Sequence, residues 1–199
     1  RTEWRNVKIE LDVDIDLSCV MVDANGELVD TLYSPLYKPE LFRQNGLPVG
    51  KEVSADGALK SSGDDTEGDK GGDDGLDNEI VTVDLEKVSP NIEQIFFFLD
   101  IFSPQGIDFL KIPYAAIRMC EYDGTQTDVR RVTNEFAKYD VAKEQNFAGK
   151  NALILGKLYR RNGEWKFAAI GDAFNHSDGK LPNSNLALTI QKILNSYAK

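Results

Sequence analysis

Side chains that carry reactive or transition-metal chemistry are scarce in this chain of 199 residues. It has one histidine, His176, and two cysteines, Cys19 and Cys120, with no CxxC pair and no Cys/His cluster. Tetrahedral zinc sites are excluded on that ground. Two cysteines far apart in sequence fit reduced thiols in a cytosol, and their spacing leaves pairing open. No nucleophile elbow, phosphate-cradling glycine loop or Ser/His/Asp arrangement is present. His176 falls in the polar run Asn175-His176-Ser177-Asp178-Gly179 and reads as a surface-loop residue. Cys19 shares the apolar parity of its segment and reads as core, as does Cys120. The expectation is a protein that is not an enzyme.

Basic clusters are missing too. The nearest are two isolated pairs, Arg130-Arg131 and Arg160-Arg161. A nucleic-acid partner is therefore excluded, because phosphate neutralisation needs a basic face. An anionic membrane surface is disfavoured unless a divalent cation bridges the two, so membrane association would be indirect. No apolar run reaches the roughly 18 residues of a spanning helix, and no signal peptide is visible. The chain opens on Arg1 rather than Met, which reads as a processed or trimmed N-terminus. The expected location is cytoplasmic or peripheral to a membrane.

What is present is enough apolar material for a core, 41% of residues with 10% aromatic, and a net charge of −10. The charge is concentrated. Residues 63–79 hold Asp64, Asp65, Glu67, Asp69, Asp73, Asp74, Asp77 and Glu79 against Lys70 alone, a local −7, so the other residues together carry −3.

Patterning is mostly that of strands. Val7, Ile9, Leu11, Val13, Ile15, Leu17 and Cys19 alternate with Lys8, Glu10, Asp12, Asp14, Asp16 and Ser18, which predicts one long half-buried strand. Asn25-Gly26 signals a hairpin turn after it. Residues 33–50 carry Pro35, Pro39, Pro48, Gly46 and Gly50 and read as irregular, with a short helical turn at 40–44. Residues 54–79 read as one long polar loop. The run 95–102 is apolar, β-branched and aromatic, as in a central strand buried on both faces. Further strands are predicted at 114–122, 129–139 and 152–160. A hairpin over 155–161 and 164–171 turns at Asn162-Gly163. Leu186, Ile190, Ile193, Leu194 and Tyr197 at helical spacing predict one closing amphipathic helix. Together these give a mostly β, antiparallel sandwich forming a single domain over residues 1–199, with a long acidic loop and a C-terminal helix.

The acidic loop carries the chemistry. Calcium takes six to eight oxygens, chiefly carboxylates and backbone carbonyls, and glycines let a backbone curl its carbonyls inward. Residues 63–79 supply eight acids and five glycines. Asp12, Asp14 and Asp16 share one strand face at intervals of roughly 6.6 Å, and three like charges there call for a cation or a basic neighbour. An EF-hand is excluded, because its obligatory glycine is Leu17. The plainer reading is a disordered, solubilising acidic loop with ordinary solvated carboxylates.

Three stretches resemble the TerD-domain family of tellurium-resistance and general stress proteins. Asp14-Ile15-Asp16-Leu17-Ser18 is similar to its Asp-Leu-Asp-Ala-Ser segment. Gly63-Asp64-Asp65 through Gly72-Asp73-Asp74 is similar to its Gly-Asp-Asn…Gly-Asp-Asp-Glu calcium loop. Leu158-Tyr159-Arg160-Arg161-Asn162-Gly163-Glu164-Trp165-Lys166-Phe167 resembles its Leu-Tyr-Arg-His-Asn-Gly-Glu-Trp-Lys-Phe hairpin. The resemblance implies a β-sandwich holding two calcium ions, a role in bacterial stress responses and assembly with other proteins of the same system; the chain's departures from the family pattern leave its own count at one or two. Its ligands would be Asp14, Asp16, Asp64, Asp65, Asp73 and Asp74, with a carbonyl from Gly68. Asp69 lies within the same loop. Gly75 stands where the family closes its loop with Glu, and Glu79 would substitute after a four-residue extension. Lys70 stands where a glycine is usual, the family's N-terminal hairpin is missing, and 172–185 is longer than usual.

Two functions then compete. Calcium either orders the loop into a conditional docking surface or is a purely structural part of a constitutive scaffold. A two-carboxylate hydrolase is a distant third. Direct chemistry on tellurite is disfavoured, because a −7 loop repels an anion.

Overall fold

The computed structural model describes residues 2–7, 14–37, 39–62, 79–102, 108–111, 116–121, 135–139, 145–175 and 184–198. Among the described residues ten strands follow in chain order: β1 Thr2–Val7, β2 Asp14–Val22, β3 Leu28–Leu32, β4 Leu59–Ser61, β5 Glu79–Val83, β6 Gln94–Phe102, β7 Ala116–Glu121, β8 Glu135–Tyr139, β9 Ala152–Arg161 and β10 Glu164–Phe174. Two helices accompany them, α1 Pro39–Gln44 and α2 Ser184–Ser196. The strands form two five-stranded sheets, ordered β4-β5-β1-β7-β8 and β10-β9-β6-β2-β3, with every pairing antiparallel. This is the sandwich the alternation predicts.

Between the sheets lies the main core. Ile15, Leu17, Cys19 and Met21 on β2 and Phe97, Leu99 and Ile101 on β6 meet Val81 and Val83 of β5 and Ile117 and Met119 of β7. The outer face of the β6 sheet carries a second core. Val20, Val22, Phe96, Phe98 and Ile154 pack there against Leu186, Ile190 and Ile193 of α2, and against Tyr33, Tyr37 and Phe42 from the α1 region. Tyr33 stacks on Phe42 with centroids 4.7 Å apart. β6 is thus central and buried on both faces, which explains its unbroken apolar run.

Two expectations are corrected. The alternation over 7–19 is not one strand: β1 and β2 belong to different sheets, because β1 pairs with β5 and β7 while β2 pairs with β3 and β6. Nor is β2 half-buried, since Asp16, Ser18, Val20 and Val22 lie under the second core. The polar stretch 54–79 also contains a strand. Leu59–Ser61 pairs with β5, and Ala58 and Leu59 are buried where loop residues were expected.

The turns follow their residue chemistry. Asn162 at φ 53 and Gly163 at φ 76 take the left-handed conformation of a tight hairpin turn between β9 and β10. Arg160 stiffens this hairpin. Its guanidinium lies 4.4 Å from the Trp165 ring and donates to the carbonyls of Ile92, Val88 and Ser89. Trp165 and Phe167 turn inward and Glu164 and Lys166 outward, as their parity predicts. Cys19 and Cys120 are both buried thiols, and burial pushes Cys19 well above its ordinary pKa, the opposite of an activated nucleophile.

Candidate metal centre

The acidic segment hangs from a hairpin base. β4 ends at Ser61 and β5 begins at Glu79, with Ser61 opposite Val81. One residue further out, the Ser62 amide donates to the Ile80 carbonyl at 2.8 Å, and the Ile80 amide donates to Ser62 Oγ at 2.9 Å. The two ends of the segment are therefore held side by side. Asp64, Asp65, Gly68, Asp69, Asp73 and Asp74 lie between them, outside the described residues.

Glu79 joins this base to the other sheet. The register of β3 with β2 runs from Cys19, so the amide of Leu17 lies beyond its last rung. Glu79 is only 4% exposed, and its Oε2 accepts a hydrogen bond from that amide at 3.0 Å. Glu52, Ser34 and Ser61 line a small pocket with Glu79, against Leu17 and Leu32. Every polar side chain here offers oxygen, the donor type that suits a hard cation. The residues fit calcium in this respect, and Glu79 is a buried carboxylate held at the foot of the acidic segment.

Asp16 occupies another face. Its side chain is 3% exposed, and Tyr37 donates its phenolic hydrogen to Asp16 Oδ2. Asp14 begins the same strand, in register with Phe102; its side chain is outside the described residues. The structure thus brings Glu79 to the edge of the strand that bears Asp14 and Asp16, while Asp16 itself turns toward the helix-covered core. Among the described residues no three His, Cys, Asp or Glu side chains converge in a metal-holding geometry.

One acid escaped the sequence argument. Asp100 lies directly opposite Asp16 on β6, 1% exposed. Thr189 of α2 donates to its Oδ1 at 2.7 Å. Burial pushes the Asp100 carboxyl up to about 7, only partly offset by the Thr189 hydrogen bond. The signal was available: Asp100 is the one charged residue in the apolar run 95–102. Other acids are structural. Asp23 accepts from the Asn25 and Glu27 amides in the β2–β3 turn. Asp56 accepts from Ser54, Ala58 and Ser89; partial burial works to raise its pKa, but these hydrogen bonds outweigh it and hold the carboxyl below its ordinary value.

The model of the TerD domain family matches residues 1–181. The chain belongs to the TerD domain family. Relatives of this TerD domain include stress response protein SCP2 of Bacillus subtilis, 31% identical over 82% of this chain and 70% of the relative. General stress protein 16U of the same organism is 34% identical over 82% of this chain and 72% of its own length. Tellurium resistance protein TerD of Serratia marcescens is 30% identical over 82% of this chain and 72% of its own length. The solved structure of a Streptomyces coelicolor homologue of telluride resistance protein (TerD) superposes with a TM-score of 0.62 at 15% identity, covering 87% of this chain and 89% of that one. This likeness speaks for the fold. The TerD domain is thus placed among tellurium-resistance and stress-response proteins.

Proposed function

We propose that this TerD domain is a calcium-dependent interaction module. The ion would be held by carboxylates of the acidic segment, among Asp64, Asp65, Asp69, Asp73 and Asp74, together with Glu79, Asp14 and the carbonyl of Gly68. The observation that carries this reading is Glu79. A buried carboxylate at the foot of a −7 segment is hydrogen-bonded to the backbone of the Asp14–Asp16 strand, and so ties the segment's end to the sandwich.

The physical consequence is conditional order. Eight acids and one lysine within 17 residues repel one another until a cation neutralises them. A bound ion lowers that repulsion, and ligand binding to the native state raises its stability by mass action. The surface so formed would engage other proteins of the same stress system, in a cytoplasmic or membrane-peripheral setting. The scaffold reading, with calcium permanently bound, uses the same ligands and differs only in affinity. A hydrolase reading finds no support in the geometry around Glu79, where one carboxylate oxygen is committed to a backbone amide.

Calorimetric titration of calcium into chelator-stripped protein tests this. The expected result is saturable binding in the micromolar range with a raised melting temperature. Retention of calcium through mild chelation favours the scaffold. No heat and no thermal shift rejects calcium at the segment altogether.

A further inference from the structure

We infer that β10 is a self-recognition edge, where a second copy of this chain pairs antiparallel with it about a two-fold axis through Ala169. The two flanks of the sandwich are unlike. On one, residues 51–53 lace the sheets together: Lys51 bridges to Tyr33 just past β3, Val53 bridges to Lys60 of β4, and Lys51 pairs with Asp30. The edge strands there are short, five and three residues. The other flank ends in β8, with five residues, and β10, with eleven. β10 stands last in its sheet, and among the described residues no strand pairs beyond it. A long edge is ordinarily blunted, because its outward backbone groups recruit another chain.

β9 sets the direction of those groups. Arg160 donates its amide to the Glu93 carbonyl at 2.9 Å, away from β10. The ladder to β10 therefore runs through Tyr159 and Arg161, opposite Lys166 and Glu164. The alternate residues Trp165 and Ala169 then aim their amides and carbonyls out of the sheet.

Charge chooses the occupant. Antiparallel pairing about Ala169 sets Lys166 opposite the second copy's Asp172, and symmetry makes that contact twice. Both side chains share the parity of Ile170 and Phe174, which face the second core. Glu164 falls opposite Phe174, over whose ring Lys192 lies at 3.6 Å, so this acid also meets a cation. On the other face Trp165 opposes Ala173 and Phe167 opposes Gly171, each ring against a small residue. Gly171, at φ 65 in the bulge between Ala169 and Asp172, leaves that ring room. Neighbouring registers lose the match. An axis on Ala168 opposes Glu164 to Asp172, one on Phe167 matches no charges, and one on Lys166 opposes that lysine to itself. Phe136 of β8 adds apolar surface to the same flank, 42% exposed and edge-on to Phe167 with centroids 5.5 Å apart.

Sedimentation equilibrium of the full chain over a concentration series, in chelator and again in calcium, tests this. The expected result is a reversible monomer–dimer equilibrium in both. A monomer at every concentration overturns the proposal. A dimer in calcium alone also overturns it, and assigns self-association to the acidic segment instead. Ala169 is exposed, so Ala169→Lys leaves the monomer's packing alone while setting two ammonium groups face to face on the axis. It is expected to weaken the dimer about tenfold or more, and unchanged affinity overturns the proposal. A charge swap fixes the register. Lys166→Glu and Asp172→Lys are each expected to dimerise weakly alone and to recover the affinity of the unsubstituted chain when mixed, because each offers the other the opposite charge at both contacts. No recovery on mixing overturns the pairing. Asp172 accepts the Tyr197 hydroxyl from the α2 end, so should Asp172→Lys fail to fold, Ala169→Lys carries the test.

Discussion

A single buried carboxyl sets a pH dependence for this protein. Asp100 has a folded-state pKa of about 7, raised by burial from 3.8. The folded chain therefore holds a proton there that the unfolded chain releases between those values. The stability this group contributes is fully present below about pH 4 and is lost as pH rises through 7. In calcium-free protein, a shift of this size corresponds to a few kcal/mol. Asp100→Asn, which cannot ionise, is expected to gain stability relative to the parent at pH 8 and to lose most of that advantage at pH 5. Denaturant melts of both proteins at the two pH values check this; an equal difference at both would show that Asp100 is ionised in the fold throughout. A second residue-scale outcome concerns Gly156. A Cβ added there would lie 2.6 Å from the Ala168 carbonyl oxygen and 2.8 Å from the Phe167 ring. Gly156→Ala should cost about 1–3 kcal/mol through forced displacement of the β9–β10 hairpin, measured as a lowered urea midpoint.

At the scale of elements, α2 is an external clamp on the β6 sheet. Leu186, Ile190 and Ile193 fill the second core, Thr189 reaches Asp100, and the carbonyl of Ala198 accepts from Gln94. Ile190→Ala should destabilise by about 2–5 kcal/mol, the ordinary cost of a large-to-small change in a packed core, visible in thermal unfolding. The helix itself was legible from spacing, as were the β9–β10 hairpin from Asn162-Gly163 and β6 from its apolar run. The β1–β2 division was not. Period-two alternation reports which way side chains face and says nothing of which sheet a strand joins, so it could not show that β1 and β2 part into different sheets. The burial of Asp16 and Ser18 was hidden for a related reason. A polar residue on a strand reads as solvent-facing until a helix from the far end of the chain is known to cover it. The acidic residues between 63 and 78, which lie outside the described residues, were legible only as composition.

At the scale of the molecule, charge is partitioned between a nearly neutral sandwich and one acidic segment. Calcium is expected to raise the melting temperature of the stripped protein by several degrees at low salt, with a smaller gain from magnesium. Raising sodium chloride to about 0.5 M should stabilise the calcium-free form by screening the segment's self-repulsion and should shrink the calcium increment. Differential scanning calorimetry across a salt series reads both effects, and a calcium increment indifferent to salt would place the ion away from the segment.

The paired ends of that segment have an evolutionary consequence. Ser62 and Ile80 close the hairpin with two hydrogen bonds of their own. The sandwich therefore meets the insertion at a fixed doorway, whatever passes beyond it. Each doubling of a loop's length costs only about 0.6 kcal/mol in closure entropy. The segment can lengthen, shorten or be exchanged with little penalty to the scaffold, so descendants of this fold are free to rewrite what the segment carries without having to reinvent the protein beneath it.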